Sequence, residues 1–146
     1  NTWSKLSGVT RAPWYAGAAI DSLRNRMLLV GGFSPLPPEV RSLDGTRQAV
    51  TFAGLGAEAL GVKDHPSVVY DEATDRFLVA FNSGASIRML RVNPETWFVD
   101  EPALTGAAPL ARVNGLQNAL QYVPELRGLV LANNHNGNVY FIRTSA

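Results

Sequence analysis

The chain has 146 residues, a net charge of +1 and 17% charged residues. It is therefore one domain by length, long enough to bury a core, with no overall electrostatic pull toward nucleic acid or an anionic membrane. It contains no cysteine, which excludes a disulfide framework and a thiolate metal site, and no apolar run reaches the roughly 18 residues that span a bilayer.

Thirteen Gly and nine Pro supply turns at the density that many short strands need. The chain begins at Asn1 rather than Met, so upstream processing or trimming is expected. The compartment stays open, with a secreted location favoured because a signal could have been lost in that way.

One pattern occurs three times. Residues 16–32 (AGAAIDSLRNRMLLVGG), 67–84 (SVVYDEATDRFLVAFNSG) and 118–137 (NALQYVPELRGLVLANNHNG) each run a short apolar strand through a polar turn into a stronger apolar strand. Aligned on Ile20, Tyr70 and Tyr122, the copies lie 50 and 52 residues apart, a period that points to a propeller or solenoid. In chain order, residues 2–6, with Thr2 and Trp3, read as a first strand. The first copy predicts strands at 16–20, 26–31, 39–43 and 47–52, with Asp44 and Gly45 as the hairpin turn before the last. The second predicts strands at 67–70, 76–81 and 87–92, then a fourth opening on Thr96 and Trp97 after the Asn93, Pro94, Glu95 turn. Its 76–81 strand is continuously apolar, as suits a strand buried on both faces between neighbouring sheets. The third predicts 118–122, 129–132 and 138–143, and no fourth strand follows.

Four antiparallel strands in about 50 residues make one propeller blade. The expected fold class is thus all-β, a β-propeller of four-stranded antiparallel blades with three blades in this chain. Blade 1 covers about 16–52, blade 2 about 67–100 and blade 3 about 118–143, the last completed by the strand at 2–6. An N-terminal strand used in this way leaves no sheet edge open. Propellers have about four to eight blades, so three do not close a ring. A twofold six-blade dimer satisfies the count, each N-terminal strand completing the partner's last blade. So does a longer propeller of which these residues are a stretch, and an open stack capped by another protein is the third arrangement.

The run Asn25, Arg26, Met27, Leu28, Leu29, Val30, Gly31, Gly32, together with the Thr-Trp pairs at 2–3 and 96–97, resembles a kelch-type blade, with an apolar second strand ending in Gly-Gly and a Trp opening the fourth strand. The second and third copies carry Phe81-Asn82 and Asn133-Asn134 in place of Gly-Gly, and the first has Val50, Thr51 and Phe52 where the Trp would stand. The resemblance implies a propeller used as an interaction or ligand-binding platform. The copper-radical oxidase chemistry found in the wider class needs a Cys cross-linked to Tyr, which this chain lacks.

In such a fold the connections between blades, and those between second and third strands, emerge on one face. The first set places Arg11, Trp14, Tyr15, Lys63, Asp64, His65, Arg112, Asn114 and Gln117 near the mouth of the channel. The second adds a proline-rich loop, with Phe33 and Leu36 at its tip, and an Asn cluster with Asn134 and His135. Aromatic faces beside Arg, Asn and Asp suit a sugar, whose ring stacks while its hydroxyls need fixed donors and acceptors; the same residues also read as blade packing and an ordinary wet rim. With two His and no Cys, no metal-ligand spacing arises, and no phosphate loop, nucleophile elbow or basic-aromatic nucleic-acid surface is present. The expected role is a non-enzymatic module that recognises a protein or glycan at the loop face, without cofactor, metal, nucleic acid or membrane span. A glycan-active hydrolase or lyase using Asp64, His65 and the arginines is the first alternative, and an architectural subunit of a larger assembly is the second.

Overall fold

A computed structural model describes residues 15–32, 37–62, 65–106, 111–132 and 136–144. The expected strand at residues 2–6 lies outside them. The described part is all-β, with three sheets of four, five and three strands. The first sheet holds β1 (Gly17–Asp21), β2 (Arg26–Val30), β3 (Glu39–Ser42) and β4 (Arg47–Gln48), in that order and antiparallel throughout. The chain then places β5 (Ala53–Gly54) at the edge of the second sheet, parallel to a later strand, before the short helix α1 (Ala59–Val62). The second sheet continues as β6 (Ser67–Asp71), β7 (Arg76–Ser83), β8 (Ser86–Val92) and β9 (Phe98–Asp100), in the order β5-β9-β8-β7-β6. The third is β10 (Leu120–Val123), β11 (Gly128–Ala132) and β12 (Val139–Arg143).

Period-2 alternation decides which side chains enter which core. From β7, Phe77, Val79 and Phe81 join Leu28, Val30 and Val40 of the first sheet in one apolar cluster. Leu78 and Ala80, pointing the other way, join Leu129 and Leu131 of the third sheet in a second cluster. Phe77 through Phe81 are at most 2% exposed, so β7 is buried on both faces. The three sheets therefore stack face to face with the second in the middle. No closed ring forms among the described residues.

The turns repeat as well as the strands. Asn25, Asp75 and Arg127 hold φ of 51°, 52° and 47°, one in each first turn and at the same 50- and 52-residue spacing as the copies. Asn and Asp tolerate this left-handed backbone best, and the third copy reaches it after a 3-10 turn at Pro124–Leu126. In the first copy Gly31 and Gly32 both have positive φ, 70° and 141°, which explains the Gly-Gly doublet. The Gly31 N–H donates to the Leu60 carbonyl at 2.9 Å and ties β2 to α1.

The expected fourth strand at 47–52 is only half formed. Pairing stops after Gln48, because Val50 and Phe52 turn inward onto the first core, where Phe52 meets Trp97 edge-on at 5.5 Å. Ala53 and Gly54 then pair with Phe98 and Val99. Gly54 has φ 100°, and a Cβ there would lie 2.2 Å from the Val99 carbonyl oxygen, so this crossing requires glycine.

A charged lock joins the turn ends of the first two sheets. Asp21, fully buried, accepts from the Arg24 backbone N–H at 3.1 Å and from Arg26 Nε at 3.1 Å. The Arg24 guanidinium reaches across to Asp75 with two bonds of 2.8 and 2.7 Å and to Glu95 at 3.0 Å. Tyr70 donates to the same Asp75 at 2.5 Å. The Arg24 bonds, aided by Tyr70, hold the Asp75 carboxyl down at about 2. At the next interface burial pushes the Asp71 carboxyl up, but bonds from Thr74, Thr144 and Tyr122 outweigh it and leave it below the usual range. Burial first, then Asp75, raises the Tyr70 phenol, and burial first, then Asp71, raises that of Tyr122.

Phe77→Ala is expected to cost about 3–5 kcal/mol of unfolding free energy in urea titration, and Leu126→Ala, on the exposed 3-10 turn, less than about 0.5 kcal/mol. Because the Asp75 carboxyl is depressed in the fold, its stabilisation is complete above its ordinary value of 3.8 and is lost as pH falls through about 2. The urea midpoint of Asp75→Asn should accordingly fall less than that of the parent over this acid range.

Candidate functional site

At the end of the inner strands opposite the charged lock, the connections leading into β1, β6 and β10 meet. Tyr15 and His65 occupy the same place in successive copies, 50 residues apart, and both have left-handed backbone, φ 65° and 54°. The His65 N–H donates to the Tyr15 carbonyl at 3.2 Å, and the His65 carbonyl accepts from the Leu116 N–H at 2.8 Å. A backbone bridge thus runs from the first connection through the second to the third.

The side chains follow the backbone. The Tyr15 and His65 rings lie 4.2 Å apart at a 38° tilt. Gly115, φ 75°, sits against His65 so closely that a Cβ there would be 2.0 Å from the His65 Cβ. Tyr15 is 45% exposed and His65 is half-buried, so the pair is partly accessible to solvent. Left-handed backbone in non-Gly residues is costly and persists only where its surroundings enforce it. Here the enforcing contacts are the two backbone bonds and the close approach of Gly115.

The second-to-third-strand turn of the middle sheet reaches the same rim. Asn82 reads the backbone of Arg112 with both ends of its amide, Nδ2 donating to the carbonyl at 2.6 Å and Oδ1 accepting from the N–H at 3.1 Å. The Ala111 N–H donates to the Ala85 carbonyl at 2.9 Å. This clamp fixes the 111–118 connection and leaves the Arg112 and Asn114 side chains exposed. Gln117 is half-buried beside them in sequence, and the buried Ser67 hydroxyl accepts from the Leu120 N–H at 3.1 Å just below.

Of the residues singled out in sequence, Tyr15 and His65 are brought into contact, and Arg112, Asn114 and Gln117 belong to the connection bonded to His65 through Leu116. Arg11, Trp14, Lys63, Asp64, Asn134 and His135 lie outside the described residues, as do Phe33 and Leu36. Asn82 was legible only as part of a turn. Its clamp depends on a partner 30 residues away, for which sequence offers no signal. The turn aspartates Asp21, Asp71 and Asp75 stand at the far end of the strands, committed to Arg24, Arg26, Thr74 and the tyrosines. Among the described residues no three His, Cys, Asp or Glu side chains gather as a metal-ligand set, and no helix is long and apolar enough to cross a membrane. No protein-family model matches the chain, and no curated protein and no solved structure matches it.

Proposed function

We propose that the three sheets are consecutive kelch-like blades of a β-propeller and that the chain is a non-enzymatic recognition module, taking a glycan or protein ligand at the rim where the blade connections meet. The blade reading is supported by the face-to-face stacking of the sheets through β7, by the repeated left-handed turn position, and by the strand order within the first sheet. The recognition reading rests on one observation. Tyr15 and His65, a full repeat apart, are held ring against ring in enforced left-handed backbone at a partly exposed rim. A tilted aromatic pair bonded to the connection that carries Arg112, Asn114 and Gln117 combines apolar surface with hydrogen-bonding groups, which suits a sugar ring or an aromatic-bearing peptide.

The architectural reading has its own support at the outer faces of the stack. Just before the first turn the second copy has Tyr70 and Asp71, whereas the first has Ile20 in the tyrosine position and the third Val123 in the aspartate position. Ile20 is 52% exposed, and Val139 and Phe141 on β12 are 65% and 46% exposed. Apolar side chains at the two outer faces favour further blades there, whether from a second copy in a six-blade dimer or from a longer propeller.

Tyr15→Asn and His65→Asn keep a residue tolerant of left-handed backbone while removing the stacked face. On a glycan and peptide array the parent should bind a defined set of ligands. Each variant should weaken that binding about tenfold, or about 1.4 kcal/mol, with an unchanged melting transition. Binding indifferent to both changes would place recognition elsewhere on the molecule.

A further inference from the structure

An open groove of about 350 Å³ lies between the second and third sheets, at the lower end of the roughly 300–1,000 Å³ of small-molecule sites. Leu78 and Met89 of the second sheet and Ile142 of the third give it apolar walls, and Arg76, Arg91 and Arg143 line it as well. Among the described residues no Asp or Glu lines it, although the whole chain carries a net charge of only +1.

The two arginines of the middle sheet share one face. Arg76 lies two residues from Leu78 on β7, and Leu78 pairs with Arg91 on β8, so Arg76 and Arg91 are diagonal neighbours, their backbones about 7–8 Å apart. Both stand on the face that Leu78 turns toward the third sheet. Two guanidiniums on flexible stems can close that span onto one anion.

One repeat earlier the same positions are used differently. Arg26 and Leu28 correspond to Arg76 and Leu78, 50 residues apart, and Leu28 pairs with the fully buried Val40. The first sheet thus has a core valine where the second has Arg91. Arg26 is also fully engaged: it donates to Asp21 at 3.1 Å and to the Pro94 carbonyl, and its guanidinium carbon lies 4.7 Å from the centre of the Trp97 ring. In the second copy Asp71 takes the Asp21 position but accepts from the Thr74 hydroxyl at 2.7 Å, with further bonds from Thr144 and Tyr122. The Asp75 carboxylate is held by Arg24. Among the described residues the Arg76 side chain bonds only the Asp75 carbonyl, at 2.6 Å. Arg91 donates twice to Asp100, at 3.0 and 2.5 Å, and is still 44% exposed. Arg143 is exposed and forms no ion pair among the described residues. Two of the three positive charges therefore have no carboxylate of their own.

We propose that this groove binds a small organic anion, with an oxyanion head, carboxylate or phosphate, on an apolar body. The planar guanidinium fork matches either head, and Leu78, Met89 and Ile142 cover the body. The groove shares no residue with the aromatic rim and stands whether or not that rim binds a ligand.

Naphthoate and naphthyl phosphate are the probes, titrated calorimetrically into the full chain, with neutral naphthamide as the uncharged body and acetate as the bare head. At least one probe should saturate a single site about tenfold or more tighter than naphthamide and acetate, and the tighter probe identifies the head. Arg76→Met and Arg143→Met keep an apolar stem and should each weaken that binding about tenfold. Arg47→Met removes a charge from β4 of the first sheet and should leave it within about twofold. Absence of saturable binding overturns the proposal, as does naphthamide or acetate binding as tightly as the charged aromatic probes. An Arg76→Met chain that binds no more weakly than Arg47→Met overturns it too. Should Arg76→Met fail to fold, Leu104→Cys decides the matter: Leu104 lines the groove, is 47% exposed and would carry the sole thiol of the chain. A nitroxide there should broaden the probe's proton lines several-fold, whereas one at Leu43→Cys, just after β3, should not. Broadening no greater from the groove than from Leu43→Cys overturns the proposal.

Discussion

The structure depends on one strand being buried on both faces. β7 sends Phe77, Val79 and Phe81 into one core and Leu78 and Ala80 into the other, so it gives both flanking sheets an apolar surface to pack on. A strand of this kind has no solvent face on which to place a charge between Phe77 and Phe81, and its sequence there is correspondingly apolar throughout. Once the middle sheet is fixed, the first and third are held at either side, and the connections between them are brought to a common end of the stack.

The two ends of the inner strands are then used differently. At the turn end, carboxylates and arginines pair across sheets, with Arg24 joining Asp21, Asp75 and Glu95. Partly buried charges in this arrangement hold register, since removing one partner leaves the others uncompensated. At the other end, backbone bonds carry the sheet-to-sheet contact through Tyr15, His65 and Leu116, with the Tyr15 and His65 rings in contact beside them. The first and second sheets are thus joined by charge at one end and by backbone bonds at the other.

The repeat also explains why similar sequences end in different surroundings. Trp97 has its pocket because the first sheet supplies Arg26 and Leu28 and the second sheet supplies the strand that carries the indole. The corresponding arginine and leucine on the middle sheet, Arg76 and Leu78, line a groove instead. Ile20 and Val123 break the tyrosine and aspartate pattern at the two faces that no described sheet covers. Position in the stack, and not residue type alone, sets what each copy's side chains meet.

The sequence by itself determined the all-β class, the three copies and most strand positions, because apolar alternation, turn chemistry and the 50-residue period are written in near neighbours. It also determined that residues 77–81 are buried on both sides, since an unbroken apolar run of strand length has few other solutions. It did not determine that the chain would leave the first sheet after Gln48 and cross to pair Ala53 and Gly54 with the second, because that choice belongs to Phe52 and Trp97 meeting 45 residues apart. Nor did it reveal the Asn82 clamp on Arg112 or the reach of Arg24 to Asp75. Those contacts are decided by which surfaces the stacked sheets bring together, a property of packing over tens of residues that no local pattern encodes.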